Sequence, residues 1–170
     1  MRAANGFSLI ELLIVVAIIL VIAAIAIPSL LQARMSANEA SAVNSVRQIR
    51  TAEVAYSTVF PAVGYAAMLA HLGGALPCSP QITAACLLDN SLATAGVEPG
   101  KSGYVFSALG IASGAPVNST LVIGSAPLAY RQTGRSLFCT TDDGVLRSDP
   151  SAGVPVTTVA GCLAYPGVVH

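Results

Sequence analysis

Apolar and polar positions follow three rhythms along the chain. From Phe7 to Ile27 there are 21 residues, and only Ser8 and Glu11 among them are polar. No face is left for water, and at about 1.5 Å per helical residue the run spans roughly 30 Å, the thickness of a bilayer's hydrocarbon core. Pro28 closes it. A proline inside a helix removes a hydrogen bond and clashes with the preceding turn, so a kink or local unwinding is expected near Ala24–Pro28. Helical spacing then resumes with water on one side. Val43, Val46, Ile49, Ala52, Tyr56 and Phe60 follow intervals of three and four, with Arg47, Arg50 and Glu53 assigned to the other side. Pro61 stops the pattern, and a continuous helix from Phe7 to Phe60 would measure roughly 80 Å.

Residues 61–102 carry no sustained period. Pro61, Gly64, Gly73-Gly74, Pro77, Pro80, Pro99 and Gly100 break them into pieces, with short helical turns expected at Tyr65–Leu72 and Ile82–Leu92. Strand chemistry begins after 103. Tyr104-Val105-Phe106 and Leu121-Val122-Ile123 are β-favouring runs separated by a Gly/Pro/Asn/Ser loop, and Leu128–Arg131 would extend the second. Ser136–Thr141 and Val145–Arg147 flank Asp142-Asp143-Gly144, a three-residue hairpin loop with glycine placed for a left-handed conformation. Residues 150–170 are rich in Gly, Pro and Val and read as a loop. The fold class is α+β: a long N-terminal spine helix with an apolar first half, packed against a small three- to four-stranded antiparallel sheet whose far face is wet.

Glu11 changes the meaning of the apolar run. A charge at the centre of a spanning helix costs about 2.5–3.5 kcal/mol, less near an end, and an intramembrane carboxylate therefore points to a partner. The chain is 54% hydrophobic and 9% charged, against roughly 25% charged in ordinary soluble domains. Its formal net charge is zero, which leaves no basic face to attract nucleic acid. Four cysteines, Cys78, Cys86, Cys139 and Cys162, show no metal-ligand spacing and, beyond a membrane-targeting segment, favour disulfides. Three connectivities are possible; the two local loops, Cys78–Cys86 and Cys139–Cys162, are preferred because each closes within one structural unit.

Three explanations compete for the N-terminus. A cleavable secretory signal would use Arg2 and the Ala24-Ile25-Ala26 pattern, but the run exceeds the usual 7–15 residues and holds Glu11. A passive single-pass anchor explains the length and not the carboxylate. The third is a resemblance: Gly6-Phe7-Ser8-Leu9-Ile10-Glu11-Leu12-Leu13-Ile14-Val15-Val16 resembles the class III signal of type IV prepilins and type II secretion pseudopilins. Gly134–Arg147 resembles, more weakly, a late-strand pattern of the same family.

The resemblance implies a prepilin leader at 1–6, prepilin peptidase cleavage between Gly6 and Phe7, and N-methylation of Phe7. It implies a filament-core half of the spine at 7–27, an amphipathic half at 28–60, a variable αβ-loop at 61–102, a sheet at 103–149 and a C-terminal loop at 150–170. Cleavage would leave an amine on Phe7 that a neighbouring subunit brings against the Glu11 carboxylate, setting register in the apolar core as a buried polar residue does in a coiled coil. The implied function is structural: a homo-oligomeric helical filament, single-pass in the bacterial inner membrane before assembly and then on the pilus or cell surface, with pilus assembly machinery as partner. A type II secretion pseudopilin in a periplasmic pseudopilus is the nearest alternative. The Cys-closed C-terminal loop favours the pilin.

Enzyme chemistry finds little support. Ala95-Gly96-Val97-Glu98-Pro99-Gly100-Lys101-Ser102 fits a permissive P-loop, yet a strand follows where a phosphate-binding helix is needed. His71 and His170 have no nucleophile or metal partner in sequence. Asp142, Asp143 and Asp149 could offer oxygen to calcium, which some pseudopilins bind in this region, but no EF-hand spacing is present. No metal or cofactor is expected. Asn118-Ser119-Thr120 is a formal glycosylation sequon. A secreted or anchored enzyme with a conventional signal peptide is the remaining alternative.

Overall fold

A computed structural model describes residues 8–114 and 116–169. Gly6 and Phe7, the expected cleavage and methylation site, and the leader at 1–6 lie outside the described residues. The chain divides into two compact units, Met1–Arg34 and Met35–His170.

Helix α1 runs from Leu9 to Val59. The Ser8 carbonyl opens it by accepting from the amides of Glu11 and Leu12. Pro28 lies inside the assigned helix, so the expected local unwinding at Ala24–Pro28 is not found. At the other end the Phe60 amide still bonds to the Tyr56 carbonyl at 2.8 Å before Pro61 turns the chain.

In the second unit, α1 buries Met35, Ala42, Ser45, Val46, Ile49, Ala52, Glu53 and Tyr56. Of the expected stripe Val46, Ile49, Ala52 and Tyr56 are buried, Val43 and Phe60 are half-buried, and the charged member Glu53 was not expected there. Glu53 falls four residues after Ile49 and three before Tyr56, on the core side rather than among the arginines. A 3-10 turn at Leu69–Leu72 and helix α2 at Asn90–Ala93 punctuate the following segment. Helix was expected over Ile82–Leu92; instead Gln81 and Ala84 close a tight bridge, Cys86 turns the chain at φ +60°, and Asp89 caps α2 at the Leu92 amide with its side chain.

Five strands form one sheet: β1 Tyr104–Ile111, β2 Thr120–Pro127, β3 Leu137–Thr141, β4 Arg147–Asp149 and β5 Gly167–Val168, in that order and antiparallel throughout. The count exceeds the expected three or four because the tail returns as β5, after a short helix α3 at Val159–Leu163. Strand β2 stops at Pro127, so Leu128–Arg131 forms a turn rather than its extension. Strand β4 begins at Arg147, not Val145, because Asp143 Oδ1 accepts from the Val145 amide and holds that residue in the turn. Gly144 adopts φ +75° there, the left-handed conformation expected of it.

One face of the sheet packs on α1 through Tyr104, Phe106, Ala108, Leu121, Ile123 and Phe138. The other face is not wet. Val122, Cys139 and Cys162 form a second core with Val156, Val159 and Tyr165 of the tail against it, which is why every residue of β2 after Thr120 is buried. Close approach needs a missing side chain. A Cβ on Gly124 would meet the Val156 backbone, and the Ser107 hydroxyl donates to the Val156 carbonyl at 2.9 Å beside it.

Candidate filament interface

The N-terminal unit is built from side chains that have nowhere to go within this chain. From Leu9 to Leu31, sixteen large apolar residues are exposed, from Leu9 at 81% to Val16 at 44%. They surround the helix rather than lining one side, the pattern of a helix meant for lipid or for a bundle of its own kind. The magnitudes make the point. Burial of such a side chain is worth about 1.5–3 kcal/mol, so sixteen left in water forgo on the order of 20 kcal/mol or more. A whole domain is stable by only about 5–15 kcal/mol. Glu11 is exposed in the first turn, where the helix dipole favours a carboxylate. Ser8 and Glu11 also stand at capping-box spacing, a second role that any test of Glu11 must separate from assembly.

The second unit is braced internally. Cys78 pairs with Cys86 and Cys139 with Cys162, with Cα separations of 6.0 and 5.7 Å. The first closes the loop between the 3-10 turn and α2; the second fastens α3 to the outer face of β3. Glu53, fully buried, accepts from the Ala66 amide at 2.8 Å, and the Ala66 carbonyl accepts from the Gly110 amide at 2.7 Å. This relay ties α1 to the loop and the loop to the edge of β1. Burial pushes the Glu53 carboxyl up from 4.5 to about 7, opposed in part by the Ala66 N–H. Tyr104 donates to the Ser136 carbonyl at 3.0 Å, and its burial raises its pKa.

The remaining expected chemistries have structural occupations. Asp143 is held by the Arg147 guanidinium at 2.6 Å, the Thr141 hydroxyl and the Val145 amide, which keep its carboxyl down near 2. Asp142 and Asp149 do not join it in a ligand cluster among the described residues. The Ala95–Ser102 segment leads into β1, and its Lys101 faces Asp89 at 3.9 Å. The Ala95 carbonyl accepts from the Phe106 amide at 2.9 Å. The segment is thus a turn entering β1 rather than the strand-to-helix turn a P-loop needs. Asn118 donates its side-chain amide to the Tyr65 carbonyl at 2.8 Å, and its backbone amide donates to Val63. His71 sits half-buried in the 3-10 turn, and His170 lies outside the described residues.

An apolar helix with one carboxylate in its first turn, followed by an antiparallel sheet packed on that helix's second half, is the arrangement implied by the resemblance to type IV prepilins. The family model of the prokaryotic N-terminal methylation motif matches residues 1–27. Over 39 residues the chain is 64% identical to the type IV wide pilus major component PilA4 of Thermus thermophilus, a match covering 23% of this chain and 30% of that protein. No solved structure matches the chain significantly. The family motif thus falls in the N-terminal unit, and most of the head lies beyond the reach of either match.

Proposed function

We propose that the chain is a structural subunit of a type IV pilus or related filament, and not an enzyme. It enters the inner membrane as a single-pass precursor and is cut between Gly6 and Phe7 by a prepilin peptidase. Methylation of Phe7 follows. Polymerisation exchanges lipid around Leu9–Leu31 for the equivalent helices of other copies. Glu11 meets the Phe7 amine of a neighbour and fixes the register, since an unpaired charge in that apolar core costs several kcal/mol. Pro28, lacking an amide hydrogen, is the weak point at which the helix can bend during that exchange. The heads coat the outside, their loops fastened by the two disulfides.

The observation that carries this reading is the complete exposure of an apolar helix whose residues match a methylation motif. Mass spectrometry of the mature N-terminus tests it. N-methyl-Phe7 is the expected terminus. An N-terminus at Ile27, after Ala24-Ile25-Ala26, would show a conventional secretory signal and refute the proposal.

A further inference from the structure

The head carries a cationic recess at the point where the chain arrives from its apolar segment. It holds about 470 Å³ and is lined by Met35, Tyr130, Arg131, Arg135 and Pro150. Both arginines are exposed, and neither guanidinium makes an ion pair or hydrogen bond among the described residues. Arg131 lies 5.4 Å over the Tyr130 ring, and the Tyr130 hydroxyl donates to the Pro150 carbonyl at 3.3 Å.

The turn that presents these groups is strained and clamped. Arg131 has φ +64°, sparse for any residue but glycine. Its amide is fixed to the Gly134 carbonyl at 2.7 Å, and the Ala129 carbonyl accepts from the Gln132 and Thr133 amides. Helix α1 grips the same turn: Asn38 donates to the Thr133 carbonyl at 2.9 Å, and Glu39 Oε1 accepts from the Arg135 amide at 2.7 Å. A non-glycine residue stays in such a conformation only where its surroundings over-determine it, and such places gather at functional surfaces. Here the effect is to hold two free guanidinium groups and a tyrosine beside Met35.

Met35 is only eight residues beyond Ile27, the end of the apolar run. Eight residues reach at most about 29 Å fully extended, and about 12 Å as helix. Eight residues therefore tether the Met35 end of the head to the apolar run. Residues 28–34 between them contain Arg34 and no acid. Arginine offers paired donors to a phosphate, tyrosine favours the headgroup zone, and a basic residue near an anionic surface is attracted to it.

We propose that the Tyr130–Arg131–Arg135 recess is a docking site for the phosphate of anionic lipid headgroups, seating the head on the membrane before assembly. This rests on the membrane-precursor reading given above. It predicts that assembly must release the head from lipid as well as the helix.

The test is arginine labelling by phenylglyoxal, read residue by residue by mass spectrometry, on the full chain in vesicles. One set is phosphatidylcholine alone; the other contains about a third phosphatidylglycerol. Exposed Arg47, on the long helix, is the internal reference. The expected result is labelling of Arg131 and Arg135 slowed at least about fivefold relative to Arg47 in the anionic vesicles. Raising salt to about 0.5 M, where the screening length shrinks to a few ångströms, should largely restore it. Equal labelling in both vesicle types, with the chain shown by flotation to be inserted, overturns the headgroup site and leaves the precursor reading standing. Slowing that follows protein density rather than lipid charge identifies a second copy as the occupant and also overturns it. Failure to insert at all refutes both readings.

Discussion

Leu9–Arg34 and Met35–Val59 belong to one assigned helix and meet opposite fates. In the first stretch no residue is buried, and sixteen large apolar side chains face outward. In the second, Val46, Ile49, Glu53 and Tyr56 have no exposure at all, while Arg47 is exposed and Arg50 is half-buried against the turn at Gly144. The first stretch is apolar on every side, so no arrangement of one small sheet could cover it. The second is apolar on one side, and a five-stranded sheet covers that side. Hydrophobicity therefore serves two purposes within one element: it waits for other molecules in the first part and holds this molecule together in the second.

That contrast breaks first under substitution of matched residues. Ile49→Ala removes a fully buried side chain and should cost the head about 2–5 kcal/mol, from lost transfer energy and the cavity left behind. Ile18→Ala, in the exposed stretch, should move the same urea transition of the detergent-solubilised chain by no more than about 0.5 kcal/mol. Comparable losses would mean that the first stretch also stabilises the head. Replacing Cys139 and Cys162 together by Ala opens a link across 23 residues, worth about 3 kcal/mol by loop-closure entropy. Carbonate-resistant membrane association should survive that change, because it depends on the other unit.

A smaller effect, about 2–3 kcal/mol at most, distinguishes the head by pH. Glu53 has its carboxyl raised from 4.5 to about 7, so the folded state binds the proton more tightly than the unfolded chain. Its stabilising contribution is complete below about pH 4.5, is lost as pH rises toward 7, and changes little above that. Denaturation midpoints should therefore fall from pH 5 to pH 8 in the native chain, and Glu53→Gln should flatten that part of the profile. The smallest effect concerns the Lys101–Asp89 pair at 3.9 Å. Lys101→Ala should cost less than about 1 kcal/mol and vanish in high salt, as exposed pairs do.

The N-terminal unit was almost wholly legible in the sequence because its signal is continuous. A run of apolar residues with a single carboxylate needs no tertiary context to be recognised. The hairpin at Asp142-Asp143-Gly144 was legible for a similar reason, since glycine marks its own conformation. The head's outer layer was not. Strand β5 has two residues and helix α3 five, too short for any period to show, and Cys139–Cys162 and contacts to β2 decide where they lie. Charge places Glu53 with the arginines, whereas the spacing Ile49, Glu53, Tyr56 places it on the core stripe, and the fold follows the spacing. The recess at Tyr130–Arg135 had no sequence signal, because Met35 and Arg135 meet only through folding.

The claim that the apolar helix is an assembly interface set in register by Glu11 is tested most directly by filament yield. Glu11→Gln should be compared with the native chain and with Glu11→Ala, with membrane insertion monitored in each. Glutamine keeps capping-box hydrogen bonding but removes the charge, so it separates helix capping from pairing with the Phe7 amine. Normal insertion with filaments lost or strongly reduced in both variants is the predicted result. Native filament yield from the fully inserted Glu11→Gln chain would contradict the account.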